Sequence, residues 1–322
     1  MDPKRKIVYC RVNKVASTYT LKTLQETFNC SLSCLRETSR DLLQLPFSDF
    51  RDVISRSYKF MFVREPYGRL FSTYSNKFYF TKEHWAPIGP RIIERYRENP
   101  SLESLMYGHD ITFHEMISFL VDEFMAGHKL DEHLRPMYSN CEPCDYSYDF
   151  IGNLETMESD WAYLKDIWHN RKIVALPDAV GEDTRVGIPE LSHVRKTIKM
   201  FENSTLSQYK LYVRAWSYFQ ITGHVYKHIT MPFVENSTIN IDDFQTALLK
   251  AVEQSKSFAD ECKNQKKEAL LQAYASVPLT LLERLKNVLE VDCNLFGYEK
   301  RPEWVFVRNN ISSEFNYFEG LA

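Results

Sequence analysis

The sequence predicts an α/β fold in which a parallel sheet flanked by helices is followed by a helical C-terminal lobe. Two short apolar segments, 7–10 and 57–63, each lead through a loop into residues with helical spacing, as βα units do. The second segment, SYKFMFV, is almost continuously apolar, which is typical of a parallel strand buried on both faces. We expect one domain over residues 1–322, with its core at about 7–180.

The remaining elements follow in chain order. Thr112 and Glu115 predict a capping box at the start of a helix, and YDFIGNLE, residues 148–155, predicts a third strand. The Pro-, Gly- and Asp-rich loop at about 177–190 is the candidate boundary before a helical region at about 185–270. Apolar spacing predicts helices in that region and beyond it, over about 191–228, 242–275 and 278–290.

Composition limits the classes of partner. A net charge of −3 gives no chain-wide attraction to nucleic acid, so any anion site must be local. There is no long apolar run and no signal-peptide pattern, which taken literally indicates a cytosolic chain. Seven Cys and four glycosylation sequons indicate the secretory lumen instead, and an N-terminal anchor absent from this sequence would reconcile the two. The sequons begin at Asn29, Asn203, Asn236 and Asn310.

The cysteines allow two kinds of site. Cys30 with Cys34, and Cys262 with Cys293, are candidate disulfide pairs in an oxidising compartment. The alternative is a zinc site, for which the ligand spacing fits a zinc ribbon only loosely. Its ligands would be Cys30, Cys34, Cys141 and Cys144.

The first loop, RVNKVAST, predicts an anion site. A loop between a buried strand and a helix N-terminus offers backbone N–H groups and the positive end of the helix dipole, and Lys14 adds a charge. The alternative is that Ser17 or Thr18 only caps the helix and Lys14 is solvated. The loop has no glycine, whereas a Walker A loop needs two, so a P-loop kinase is disfavoured although the topology is P-loop-NTPase-like.

The second strand predicts another anion site at its carboxyl end, where ligands of open α/β sheets bind. Arg64 ends the strand, Arg69 follows five residues later, and Ser72 lies one helical turn into the next helix. A guanidinium with a hydroxyl nearby holds a phosphate well. Two such sites at neighbouring strand ends indicate a nucleoside that carries phosphate at both ends.

Four segments, in order, resemble the Golgi carbohydrate sulfotransferases of the chondroitin, dermatan and HNK-1 type. They are YCRVNKVAST, FVREPYGRLFSTYSNKF, DEHLRPMYSNCEPCDYSYDFIGNLETME and YASVPLTLLERLKNVLEVDCNLFGYEKRPEW, within residues 7–80, 110–160 and 274–304. The last resembles the family's closing helix and F-G-Y strand, whereas residues 185–270 do not resemble it. The sequence departs from the family's pattern at Asn13, Thr20, Leu21, Leu134 and Met137.

The resemblance implies transfer of a sulfuryl group from 3′-phosphoadenosine 5′-phosphosulfate to a glycan hydroxyl, without a metal. Lys14 would act on the bridging oxygen, and Arg64, Ser72 and Arg69 would bind the 3′-phosphate. The base would be His133, because an imidazole ordinarily titrates near neutral pH, with Glu132 or Glu155 in reserve. The 5′-phosphate would be held by Arg11, Lys14, Val15, Ala16, Ser17 and Thr18.

The resemblance also suggests the setting. It implies a type II membrane protein facing the Golgi lumen, a disulfide between Cys141 and Cys144, and a chondroitin/dermatan-type or related glycan acceptor. Arg135 would pair with a uronic acid or sulfate of that acceptor. Helically spaced Arg91, Arg95 and Arg97 either line a glycan groove or form a solvated helix face. The alternative function is a degenerate sulfotransferase-like protein that binds nucleotide or glycan without turnover.

Overall fold

The structure, a computed structural model, describes residues 7–80, 82–171, 188–235, 237–307 and 315–319. Its contacts separate into two compact units. The first, here called the sheet unit, comprises the described residues of 1–69, 130–183 and 289–298. The second, the helical unit, comprises those of 70–129, 184–288 and 299–322. The single-domain interpretation stays a prediction.

A three-stranded parallel sheet lies at the centre of the sheet unit. Strand β1 is Ile7–Cys10, β2 is Tyr58–Val63 and β3 is Phe150–Asn153. The order is β1-β2-β3, and both neighbouring pairs are parallel. The predicted parallel sheet is therefore confirmed, in a chain that is otherwise mostly helical.

The core of the sheet unit explains why β2 is central. All six of its residues are buried, as the continuous apolar pattern predicted. Phe60 lies 5.4 Å from Trp168 and Phe62 lies 5.4 Å from Trp161, between ring centroids. Gly152 faces Phe62 in the register of β3, and a Cβ there would stand 2.4 Å from the Phe62 ring, so only glycine allows this packing.

Fifteen helices are present in the described part of the chain. Those with residues in the sheet unit are α1 Ser17–Phe28, α2 Leu32–Leu43, α3 Phe47–Arg56, α4 Pro66–Thr73, α8 Tyr138–Cys141, α9 Met157–Asn170 and the end of α14 Leu279–Phe296. Those of the helical unit are α5 Lys82–Tyr96, α6 Leu102–Tyr107, α7 Phe113–Met125, α10 Ile188–Met200, α11 Gln208–Ile221, α12 Ile241–Ser255, α13 Ala259–Ala275 and α15 Glu303–Phe306. A π-helical segment, Tyr74–Phe80, follows α4.

The predicted helices are present at the expected positions, but their lengths differ from the prediction. The predicted helices 191–228 and 242–275 are each two helices, because residues 201–207 form turns and Lys256–Phe258 forms a 3₁₀ turn. The closing F-G-Y strand was wrong: Phe296 ends α14 and Gly297, at φ 76°, turns the chain. Most of the predicted boundary loop at 177–190 lies outside the described residues.

The three arginines of the predicted cluster in the helical unit differ in exposure: Arg91 and Arg95 are exposed, as on a solvated helix face, whereas Arg97 is half-buried. Arg97 bonds both carboxylate oxygens of Glu115, at 2.7 and 2.8 Å, and also pairs with Asp110. Arg95 pairs with Asp122 and Glu123. The predicted capping box is confirmed, since Thr112 and Glu115 bond each other's backbone N–H groups, and Arg97 anchors the same carboxylate.

Two disulfides are present among the described residues. Cys30 pairs with Cys34, as predicted, but Cys141 pairs with Cys10 and leaves Cys144 free. The predicted bond between Cys141 and Cys144 and the alternative zinc site were therefore wrong. Cys262 and Cys293 are buried and are not joined by a disulfide, so that predicted pair was also wrong.

Two further observations bear on the compartment. None of the helices in the described ranges is both long and apolar enough to cross a membrane. The sequon residues Asn29 and Asn203 are exposed, and Asn236 and Asn310 lie outside the described residues.

Candidate functional site

The loop after β1 has an unusual backbone. Val12 and Val15 are completely buried in the core of the sheet unit and anchor the loop. Lys14, which lies between the two valines, has φ 67°, and Ala16, which follows Val15, has φ 55°. Both backbone conformations are left-handed, whereas φ of Val15 is not positive. Such alternation turns successive backbone N–H groups towards one concavity, an arrangement that binds anions in many phosphate sites. The loop reaches this shape without glycine.

Helix α1 begins at the end of this loop without a side-chain cap. Its N-cap is Ala16, so the interpretation of Ser17 or Thr18 as the N-cap was wrong. Ser17 is the first helical residue and is 7% exposed, and Thr18 and Arg11 are exposed. The first-turn N–H groups and the positive end of the helix dipole therefore lie directly behind the loop.

A hydrogen bond from Arg64 connects the second predicted anion site to the first. The β1 and β2 ends meet at one edge of the sheet because the strands are parallel. Arg64 follows β2, and its Nη1 donates to the Lys14 carbonyl at 3.2 Å. The guanidinium, half-buried, thus lies against the loop and supports its left-handed turn.

The carboxylate of Glu65 caps α4, which sequence reasoning missed. It accepts from the N–H groups of Tyr67, at 3.0 Å, and Gly68. Burial raises the pKa of Glu65 to about 7, although these N–H bonds and Arg64 act in the opposite direction. The signal in the sequence is the acidic residue immediately before Pro66, at the position where a helix N-cap is expected.

Glu155 lies after β3 and links a third strand end to this edge. Its Oε1 accepts from the Glu65 N–H at 2.8 Å, and its Oε2 accepts from the Tyr298 hydroxyl at 2.8 Å. Both carboxylate oxygens therefore have structural partners, which favours a positioning role for Glu155 over its predicted reserve role as a base.

Arg69 holds the segment that carries His133. It is 1% exposed, its Nη1 donates to the His133 carbonyl at 3.1 Å, and its Nη2 donates to the Arg135 carbonyl. Burial lowers the pKa of Arg69 to about 10, which the charge of Asp292 partly offsets. These contacts favour a positioning role for Arg69 over the predicted phosphate contact.

His133 is held by a carboxylate that sequence reasoning missed. Asp131 Oδ1 lies 2.9 Å from both the Nδ1 and the backbone N of His133. This contact assigns the proton to Nδ1 and makes Nε2 the basic nitrogen of the ring. Asp-x-His spacing was the available signal. His133 is 7% exposed, and Leu134 and Met137, which depart from the family's pattern, are also buried.

The structure gives less direct evidence for the roles of the other predicted site residues. Arg135 donates from Nε and Nη2 to the Leu130 carbonyl, so it closes its own turn. Glu132 is exposed. Ser72 lies in the part of α4 that belongs to the helical unit, so its pairing with Arg64 stays a prediction.

Taken together, three strand ends bring a cationic loop, a guanidinium and a buried carboxylate to one edge of the sheet. The arrangement can hold an anionic group against backbone N–H donors, and the Asp131–His133 pair can accept a proton. Nowhere in the described ranges do His, Cys, Asp and Glu side chains form a group able to hold a metal ion.

Comparison with known proteins identifies relatives. Carbohydrate sulfotransferase 14 of Danio rerio is 36% identical over 171 residues, which cover 51% of this chain and 46% of that protein. Carbohydrate sulfotransferase 11 of Rattus norvegicus is 31% identical over 179 residues, 51% of each chain, and carbohydrate sulfotransferase 9 of Homo sapiens is 31% identical over 174 residues, 51% of this chain and 39% of that one. The chain spans about half the length of the curated relatives it matches. No solved structure matches it.

The family match covers more of the chain than the motifs did. Residues 1–213 match the sulfotransferase family, which extends the relation into the part of 185–270 that the motifs left unassigned. The resemblance at 274–304 lies beyond this match. With about two thirds of its length matched, the chain belongs to the sulfotransferase family.

Proposed function

We propose that this protein transfers a sulfuryl group from 3′-phosphoadenosine 5′-phosphosulfate to a hydroxyl of a glycan. The observation that carries the proposal is the glycine-free, left-handed loop at Lys14 and Ala16, against which Arg64 is hydrogen-bonded. Two separate sequence signals for phosphate thereby meet at one sheet edge. The names of the relatives support a carbohydrate acceptor.

The 5′-phosphosulfate binds in the loop. The donors are the N–H groups of Val15, Ala16, Ser17 and Thr18, with the Ser17 and Thr18 hydroxyls, and Arg11 and Lys14 supply charge. The 3′-phosphate pairs with Arg64 and with Ser72, which lies farther along the chain in α4. Arg69 contributes by fixing the 131–135 segment rather than by touching the nucleotide.

The transfer step is an in-line displacement at sulfur. His133 Nε2 takes the proton of the acceptor hydroxyl as its oxygen forms the new bond to sulfur. The bond from sulfur to the bridging phosphate oxygen breaks, and its electron pair stays on that oxygen. Lys14 balances the charge that develops there, so it stabilises the transition state more than the bound donor.

The setting follows from the same proposal. The disulfides Cys10–Cys141 and Cys30–Cys34, with the exposed sequons at Asn29 and Asn203, support the oxidising Golgi lumen. The acceptor is a glycosaminoglycan of the chondroitin/dermatan type or a related terminal sugar. No part of the chemistry requires a metal or nucleic acid.

The test is transfer of label from the donor to desulfated chondroitin, dermatan, heparan and N-glycan acceptors. We expect transfer to at least one acceptor, lost in Lys14→Ala and His133→Ala and retained in the exposed control His169→Ala. Stabilisation by 3′-phosphoadenosine 5′-phosphate without transfer to any acceptor would support the binding-only alternative. Absence of both would overturn the proposal.

A further inference from the structure

A second anion site is built into the helical unit, around Arg214 on α11. This guanidinium is 4% exposed, and its Nη2 donates to the Tyr79 carbonyl. Its carbon lies 4.9 Å from the Tyr79 ring centroid and 5.2 Å from that of Trp85, so the two rings hold its plane in place.

The remaining donors of Arg214 lack partners. Neither Nε nor Nη1 has a hydrogen bond within the described part of the chain, and Asp110, whose charge acts on the guanidinium, forms no hydrogen bond with these two nitrogens. A buried charge without a counter-ion is costly, and a buried donor without an acceptor adds to that cost. Arg214 is therefore a buried cation with unsatisfied donors, which a bound anion would stabilise.

A cavity of about 80 Å³ lies beside it, more than the ~30 Å³ that one water takes up in the liquid. Lys210 and Arg214 line it from one face of α11, and Ser207 lines it from the N-cap of that helix. Lys210 and Ser101 are exposed, so the cavity opens to solvent at that rim. A second cation thus stands at the entrance.

His109 and Asp110, which also line the cavity, supply two further unsatisfied atoms. His109 Nδ1 and Asp110 Oδ1 lie 3.9 Å apart, and neither forms a hydrogen bond among the described residues. Asp110 Oδ2, by contrast, accepts from Ser104 and Arg97. Burial, and then the charge of Arg214, lower the pKa of His109 to about 4. A ligand here needs acceptor oxygens for Arg214 and a hydroxyl to donate to Asp110.

We infer that this cavity binds a sulfate or carboxylate group carried by a hydroxylated sugar of the acceptor glycan. The oxyanion bonds Arg214 Nε and Nη1 and meets Lys210 at the rim, and a neighbouring sugar hydroxyl donates to Asp110 Oδ1. The glycan as the source of the oxyanion rests on the proposed function, whereas the oxyanion site itself does not.

The direct test is a crystal of wild-type protein saturated with 3′-phosphoadenosine 5′-phosphate and soaked in sodium selenate. The nucleotide occupies the loop at 11–18, so that any selenate bound elsewhere is not competing for that site. We expect an anomalous peak beside Arg214. A cavity that holds only water would overturn the inference, and this readout needs no variant that must fold.

A binding titration separates the sources of the oxyanion. Lys210→Ala should weaken binding of sulfate, and of a sulfated chondroitin disaccharide, about tenfold, whereas the exposed control Lys250→Ala should not. If only inorganic sulfate responds, the site takes the free ion and the glycan assignment is wrong. If Lys210→Ala and Lys250→Ala behave alike for both ligands, the site itself is refuted, whether or not the nucleotide still binds.

Discussion

Among the residues that the structure describes, two arginines are almost completely buried, and their hydrogen bonds differ. Arg69 in the sheet unit donates to the carbonyls of His133 and Arg135, and in the described structure none of its buried nitrogens lacks a partner. Arg214 in the helical unit donates to one carbonyl and leaves two nitrogens without partners. Burial is the same in both, so the completeness of the hydrogen bonds separates an arginine that stabilises the fold from one that marks a ligand site.

The largest expected effect comes from making the same substitution at both positions. Arg69→Met should lower the free energy of unfolding by about 3 kcal/mol, because two buried carbonyls lose their donor. Arg214→Met should change it by no more than about 1 kcal/mol, because removing an uncompensated charge offsets the lost contacts. Urea unfolding of both variants measures this. Equal losses would show that Arg214 is as structural as Arg69.

The next effect concerns Lys14, the cation that the proposed function assigns to the bridging oxygen. Lys14→Ala should reduce turnover about 10²- to 10³-fold, because the partner charge develops only in the transition state. Binding of 3′-phosphoadenosine 5′-phosphate should fall by a smaller factor. Single-turnover kinetics and calorimetry, with Lys250→Ala as the control, separate the two. Equal losses in binding and turnover would assign Lys14 to nucleotide binding alone.

Much of this arrangement could be predicted from local sequence, and the rest depends on distant partners. The strands and the Thr112–Glu115 capping box follow from neighbouring residues and were found in place. The Cys10–Cys141 bond joins residues 131 apart, which no local spacing reveals.

The charged residues show the same limit. Sequence spacing located the arginines, but it could not tell that Arg97 pairs with Glu115 or that Arg69 bonds carbonyls some 65 residues away. The left-handed turns at Lys14 and Ala16 were also hidden, because the usual signal for a positive φ is a glycine.

A pH effect of about 3 kcal/mol is expected from Glu65, a buried acid, because each unit of difference in pKa between the folded and unfolded states corresponds to about 1.4 kcal/mol. Its pKa is raised from 4.5 to about 7 by burial, so the folded protein binds this proton more tightly than the unfolded chain. Its contribution to stability is complete below about pH 4.5 and is lost as the pH rises through about 7.

Glu65→Gln should remove that dependence. Unfolding free energies at pH 5 and pH 8 should therefore diverge between wild type and variant, with the wild type losing more stability at the higher pH. Parallel behaviour of the two proteins across this range would contradict the buried, proton-binding state of Glu65.

The smallest expected effect is a gain in stability at Ala16. A left-handed conformation costs a non-glycine residue roughly 1–2 kcal/mol, so Ala16→Gly, at φ 55°, should stabilise the fold by about 1 kcal/mol. Ala126→Gly, at φ −78°, is the matched control and should give no gain. Thermal unfolding of both variants measures the difference. A loss of stability at Ala16 would mean that the loop does not hold this conformation.

The central claim is that the loop at Lys14 and the guanidinium of Arg64 hold the two phosphates of one nucleotide. Calorimetry with 3′-phosphoadenosine 5′-phosphate and with adenosine 5′-phosphate tests it directly, because the ligands differ only in the 3′-phosphate. Wild type should bind the first at least about tenfold more tightly, and Arg64→Ala should abolish that preference while the exposed control Arg56→Ala retains it. Equal binding of the two nucleotides by wild type, or binding of neither, would contradict the claim.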